Sequence, residues 1–235
     1  MHETKTNPPA HVAILQKLPV EVAAANDVYE FRAVTVAAGE DSVEFGYRLL
    51  TPPAIDPGKK YPLVLFLHGA GERGTDNIMQ LKYLPAWLAA PDLRRKHPCF
   101  VIAAQCRMDE RWVDVSWADK TSAPQAPEPT IDLQAAAAMI DDVMQSGPVD
   151  PARVYLTGLS MGGYGTWDLA TRMPERFAAV LPICGGGDER TAARIAKLPI
   201  WAVHGDADKA VPVERSRSMV AAVEAAATML RDRST

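Results

Sequence analysis

A chain of 235 residues has single-domain length, and with 48% hydrophobic and 23% charged residues it can bury a sizeable core, which excludes wholesale disorder. Twenty-five Lys and Arg against 29 Asp and Glu leave a net charge of −4, so the chain carries no basic footprint for nucleic acid. No stretch approaches the ~20 apolar residues of a spanning helix, and Met1 to Ala10 lacks the apolar segment of a signal peptide. A cytoplasmic location is the expectation, while a mature secreted form would read the same way.

In chain order, residues 1–27 read as an N-terminal arm and 28–235 as one α/β domain. Val28 to Val36 and Val43 to Leu50 are β-rich and joined by the turn Ala38-Gly39-Glu40-Asp41, which predicts an antiparallel hairpin at a sheet edge. After the breakers of Thr51 to Lys60, the apolar run Pro62 to Leu67 predicts a central strand buried on both faces. Further buried strands are expected at Phe100 to Ala104, Val154 to Thr157, Ala178 to Ile183 and Pro199 to His204. Helical spacing of apolar residues predicts helices over Asn77 to Ala90, Asp132 to Gln145, Gly162 to Thr171 and Pro212 to Leu230. The proline-rich Thr121 to Thr130 reads as a surface loop near a site. Short apolar runs alternating with helical segments give a mostly parallel sheet covered by helices on both faces. Cys99, Cys106 and Cys184 are widely spaced, form no ligand pattern and are expected to be reduced and packed; no metal site is indicated.

Three segments carry chemistry. Val154 to Ala170 places Gly158-Leu159-Ser160-Met161-Gly162 between an apolar strand and a helix pattern, the context that G-x-S-x-G requires. Glycines are needed there because neighbouring backbone comes too close for a Cβ, and Ser160 is held strained with its Oγ exposed. The N–H of Met161 then faces a reacting carbonyl. His68-Gly69-Ala70-Gly71-Glu72-Arg73-Gly74 ends the central strand, and its glycines let Ala70 turn a second N–H toward the same oxyanion. His204-Gly205-Asp206-Ala207-Asp208 offers an acid that orients an imidazole; Asp208 is the stronger choice and Asp206, as a turn carboxylate, the weaker.

With these motifs in order, the chain resembles the α/β-hydrolase superfamily, close to the phospholipase/carboxylesterase and polyhydroxybutyrate-depolymerase-like esterases. The resemblance spans roughly 30–225. It implies Ser160 as nucleophile, Ala70 and Met161 as oxyanion donors, Asp208 as triad acid, and Trp112 and Trp117 as pocket lining. It also implies a cofactor-independent hydrolase of a small-molecule ester or esterified oligomer. The family places its catalytic His after the acid, yet the five histidines here, His2, His11, His68, His97 and His204, all precede Asp208. The reading is therefore a chain truncated before its triad His, with the last strand and helix missing, impaired turnover, and self-association through the uncovered sheet edge. His204 is only a weak substitute. A non-catalytic relic that keeps the pocket, and a prolyl-oligopeptidase-like peptidase, stand as alternatives.

Overall fold

The computed structural model describes residues 18–232. Six strands, β1 (Glu30–Ala38), β2 (Asp41–Leu50), β3 (Tyr61–Leu67), β4 (Phe100–Ala104), β5 (Val149–Leu159) and β6 (Ala179–Ile183), form one sheet in the order β1-β2-β4-β3-β5-β6. The β1–β2 hairpin turns at Gly39, whose φ of 67° suits glycine, and β2 pairs antiparallel to β4, while β4, β3, β5 and β6 run parallel. The edge hairpin and the central β3 therefore lie where the sequence pattern puts them.

Alternation along the strands divides the core. Phe100, Ile102 and Ala104 of β4, with Leu63, Leu65 and Leu67 of β3, face a large cluster. Helices α4 (Ile131–Ser146) and α5 (Met161–Arg172) add Leu133, Met139, Ile140 and Trp167 to it, and α6 (Glu214–Asp232) adds Met219. Val101 and Ala103 point the other way, onto α1 (Val20–Asn26) and α2 (Leu84–Ala89) through Val22, Ala25 and Ala86. The end of the N-terminal arm is thus a docked helix, and Arg48 Nη2 secures it by donating to the carbonyls of Asn26 (2.6 Å) and Tyr29 (2.7 Å).

Two expectations are corrected. The helix over Asn77 to Ala90 is broken into a 3-10 turn at Met79–Leu81, then α2, then α3 (Pro91–Lys96). Asn77 and Tyr83 adopt positive φ (54° and 63°), and prolines restart each following helix where a missing N–H costs nothing. The segment Pro199 to His204 is not a strand; it touches β6 only as parallel bridges at Val180–Ile200 and Ile183–Val203. Trp201 N donates to Val180 O (3.0 Å) and Val203 N to Pro182 O (3.1 Å). The bond between them would come from residue 182, and Pro182 has no N–H to give. Among the described residues no helix is long and apolar enough to cross a membrane.

Candidate active site

The site is built at the carboxyl end of β5. Ser160 sits between β5 and α5 with φ 56° and ψ −114°, a conformation that costs a non-glycine residue about 1–3 kcal/mol and turns its side chain out of the strand–helix corner. The fold around it enforces that cost. A Cβ on Gly158 would stand 2.8 Å from Leu67 O and closer still to Gly162 O; one on Gly162 would stand 2.8 Å from His68 O and closer to Leu67 O. Gly163 and Gly185 press backbone to backbone in the same way, so α5 can lie directly on the ends of β3 and β6. Ser160 N donates to Ile183 O (2.9 Å), fixing the corner.

The Gly69–Ala70 peptide lies beside the serine: a Cβ at Gly69 would come 3.8 Å from Ser160 Cβ. Its geometry is set by His68. The ring Nδ1 donates to Gly69 O (2.6 Å) and Nε2 accepts from Cys106 N (2.9 Å), which fixes the neutral tautomer. Burial pushes the His68 pKa down to about 4. Trp112 stacks edge-on against this ring at 5.3 Å and donates from Nε1 to His68 O (3.0 Å). Trp112 is thus a buried brace for the loop. Trp117 is partly buried under the Arg111 guanidinium, 4.5 Å away, and its carbonyl accepts from Tyr164 Oη (3.2 Å), one turn after Ser160. Ala70 opens a short 3-10 turn, held by Arg73 Nε on Ala70 O (2.9 Å); Met161 is the buried first residue of α5.

Asp208 Oδ1 accepts from Ala210 N (2.8 Å) and Val211 N (3.0 Å). These bonds, the Val211 N–H first, hold its carboxyl below the usual range, so it is an anion. Asp206 instead pairs with Arg217 (2.6 Å) on an exposed surface. Cys184 follows β6 with a φ of 41°; its N–H donates to Val203 O (2.7 Å), and burial raises its thiol pKa.

His204 is fully engaged. Its Nδ1 is 2.7 Å from Ser216 Oγ and its Nε2 3.0 Å from Val211 O, while Asp208 Oδ2 stands 3.7 Å off. His97 precedes β4, at the opposite end of the parallel strands from Ser160. His2 and His11 lie outside the described residues.

Residues 117–231 match the Dienelactone hydrolase family. The chain is 28% identical over 211 residues to "Putative esterase NocK" of Nocardia uniformis subsp. tsuyamanensis, covering 88% of this chain and 56% of that one. A crystal structure of a thermostable esterase superposes with a TM-score of 0.75 at 42% identity, over 85% of this chain and 52% of that one. Pyrococcus horikoshii acylaminoacyl peptidase shares the fold, with a TM-score of 0.60 at 16% identity over 95% of this chain and 38% of its own. The chain has the α/β-hydrolase fold, and its sequence is similar to esterases of that fold. It spans about half the length of the esterase relatives it matches.

Proposed function

We propose that the chain carries the nucleophile, acid and oxyanion loop of a serine hydrolase acting on carboxylic esters. The strained Ser160 in a corner that only glycines permit is the observation that carries this reading. Ser160 Oγ adds to the ester carbonyl carbon, the Ala70 and Met161 N–H groups receive the oxyanion, the alcohol leaves with a proton, and water releases the acid from the acyl-serine. Asp208 orients and charge-stabilises the imidazole that moves those protons.

That imidazole is not His68, which is locked neutral, nor His204, whose two nitrogens are engaged, nor the distant His97. Among the described residues no histidine is placed to supply that base; without one Ser160 stays a neutral alcohol, and loss of one triad member costs roughly 10⁴–10⁶ in rate, so slow turnover is the expectation. The acylaminoacyl peptidase likeness concerns the fold alone. The test is hydrolysis of p-nitrophenyl acetate and butyrate by the chain and by Ser160→Ala. A small Ser160-dependent rate, unchanged in His204→Ala, is expected. A Ser160-dependent rate of ordinary enzymatic size that His204→Ala removes overturns the assignment of the base; identical rates with and without Ser160 leave the non-catalytic reading.

A further inference from the structure

On the flank of α5, Tyr164, Trp167, Gln125, Gly186, Gly187 and Arg215 line a cavity of about 320 Å³, part of it open to solvent. The interior is narrow, with room for a single small polar group. Two of the lining residues, on two helices, carry buried donors without a hydrogen-bond partner: Nε and Nη1 of Arg215, and Nε1 of Trp167. Arg215 is 2% exposed and Trp167 fully buried. Glycines make the place for this cation, since a Cβ on Gly186 would stand 2.8 Å from Arg215 Cβ and 3.0 Å from its Nε.

The charges around the cavity single out Arg215. Asp168 is held by Arg172 Nε (2.5 Å) and Gln125 Nε2 (3.1 Å), and Asp188 by Arg190 Nε (2.6 Å) and Gln125 N (2.8 Å). Each of those carboxylates has a cation of its own. Arg215 donates from Nη2 only to the neutral carbonyl of Gly187 (3.0 Å), and its nearest acid, Glu189 Oε1, is 3.7 Å from Nη1. A buried guanidinium whose charge is met by Glu189 at 3.7 Å and by the face of Tyr164 at 5.9 Å, with two N–H groups still unpaired beside a buried indole N–H, is complementary to an anion that presents one oxygen.

We propose that this cavity is a binding site for a small carboxylate, one oxygen entering against Arg215 and Trp167. It lies one helical turn from the nucleophile, because Tyr164 N bonds Ser160 O (3.1 Å). Two sources share this chemistry: a free carboxylic acid, such as ester hydrolysis releases, and a carboxylate borne on an ester. That functional link rests on the esterase reading, whereas the binding does not.

The indole N–H signals of the five tryptophans, observed by ¹H–¹⁵N NMR at constant ionic strength in chloride, report the binding directly. The signal missing from Trp167→Phe should move saturably with sodium acetate and with monomethyl succinate, not with dimethyl succinate. The same response is expected in Ser160→Ala, so failure of the nucleophile assignment cannot imitate failure of the site. Arg215→Met should weaken binding at least tenfold, and Arg215→Lys, which keeps the charge, less. If Arg215→Met does not fold, calorimetric titration of Arg215→Lys and Trp167→Phe must each show a severalfold loss. A response to monomethyl succinate alone assigns the ester-borne source. No saturable shift, an equal shift with the neutral diester, or binding indifferent to both residues overturns the proposal and leaves the cavity to water.

Discussion

His68 ties the stability of the fold to pH through the loop that faces Ser160. Its imidazole is fully buried and neutral, Nε2 accepting from Cys106 N and Nδ1 donating to Gly69 O. Protonation would put a second N–H against the Cys106 N–H. With the folded pKa lowered to about 4 from the ordinary 6.5, the unfolded chain takes up a proton between those values that the folded chain refuses. Stability therefore rises with pH across that window, is complete above 6.5, and is lost as pH falls toward 4. The shift corresponds to about 3 kcal/mol, or about 6–12 °C in Tm for a chain of this size. Urea unfolding of the wild type and of His68→Asn at pH 7.5 and 4.5 isolates the term, because the acid loss due to carboxylates is common to both. The wild type should lose about 3 kcal/mol more than the variant over that interval. Equal losses would refute the reasoning and mean that His68 protonates without resistance.

Other outcomes follow from the same structure. Gly158→Ala and Gly162→Ala should each lose the cooperative unfolding transition or several kcal/mol of stability, because backbone must shift to admit the methyl group, whereas Gly71→Ala, with nothing within 4 Å of its Cβ, should unfold like the wild type. Asp132, 1% exposed, is held by Arg107 through N (2.9 Å) and Nη2 (2.8 Å); Arg107→Met should cost about 3–5 kcal/mol by stranding that carboxylate, read by urea denaturation. Burial raises all three thiols, Cys99 to about 11, so a thiol reagent at pH 8 should react with Cys99 and Cys106 only on unfolding and with half-buried Cys184 first.

The elbow was legible in the sequence because its demands are local: a strand, a turn too tight for Cβ atoms at Gly158 and Gly162, and a helix follow one another within one stretch. The buried strands β3 and β4 were equally plain, being apolar on both faces. Where the reading failed, a backbone detail overrode the pattern. Tyr83 and the prolines at 85 and 91 cut a segment whose apolar spacing is helical, and one missing N–H at Pro182 splits the pairing of a run as apolar as any strand. Arg215 was illegible for a different reason. In Glu214-Arg215-Ser216-Arg217 it looks like one of two surface arginines opening a helix, and its burial is decided by the remote pair Gly186-Gly187. Nor does the sequence show that Trp112 braces the remote His68.

The central claim, that Ser160 is a nucleophile poised for an imidazole that His68, His97 and His204 do not offer, is tested most directly by a fluorophosphonate probe with and without added imidazole, the adduct being located by peptide mass spectrometry. The account predicts labelling at Ser160 that is slow alone, accelerated by imidazole and absent from Ser160→Ala. Rapid labelling without imidazole would place a working base within the chain, and no labelling even with it, or labelling of another residue, would contradict the nucleophile itself.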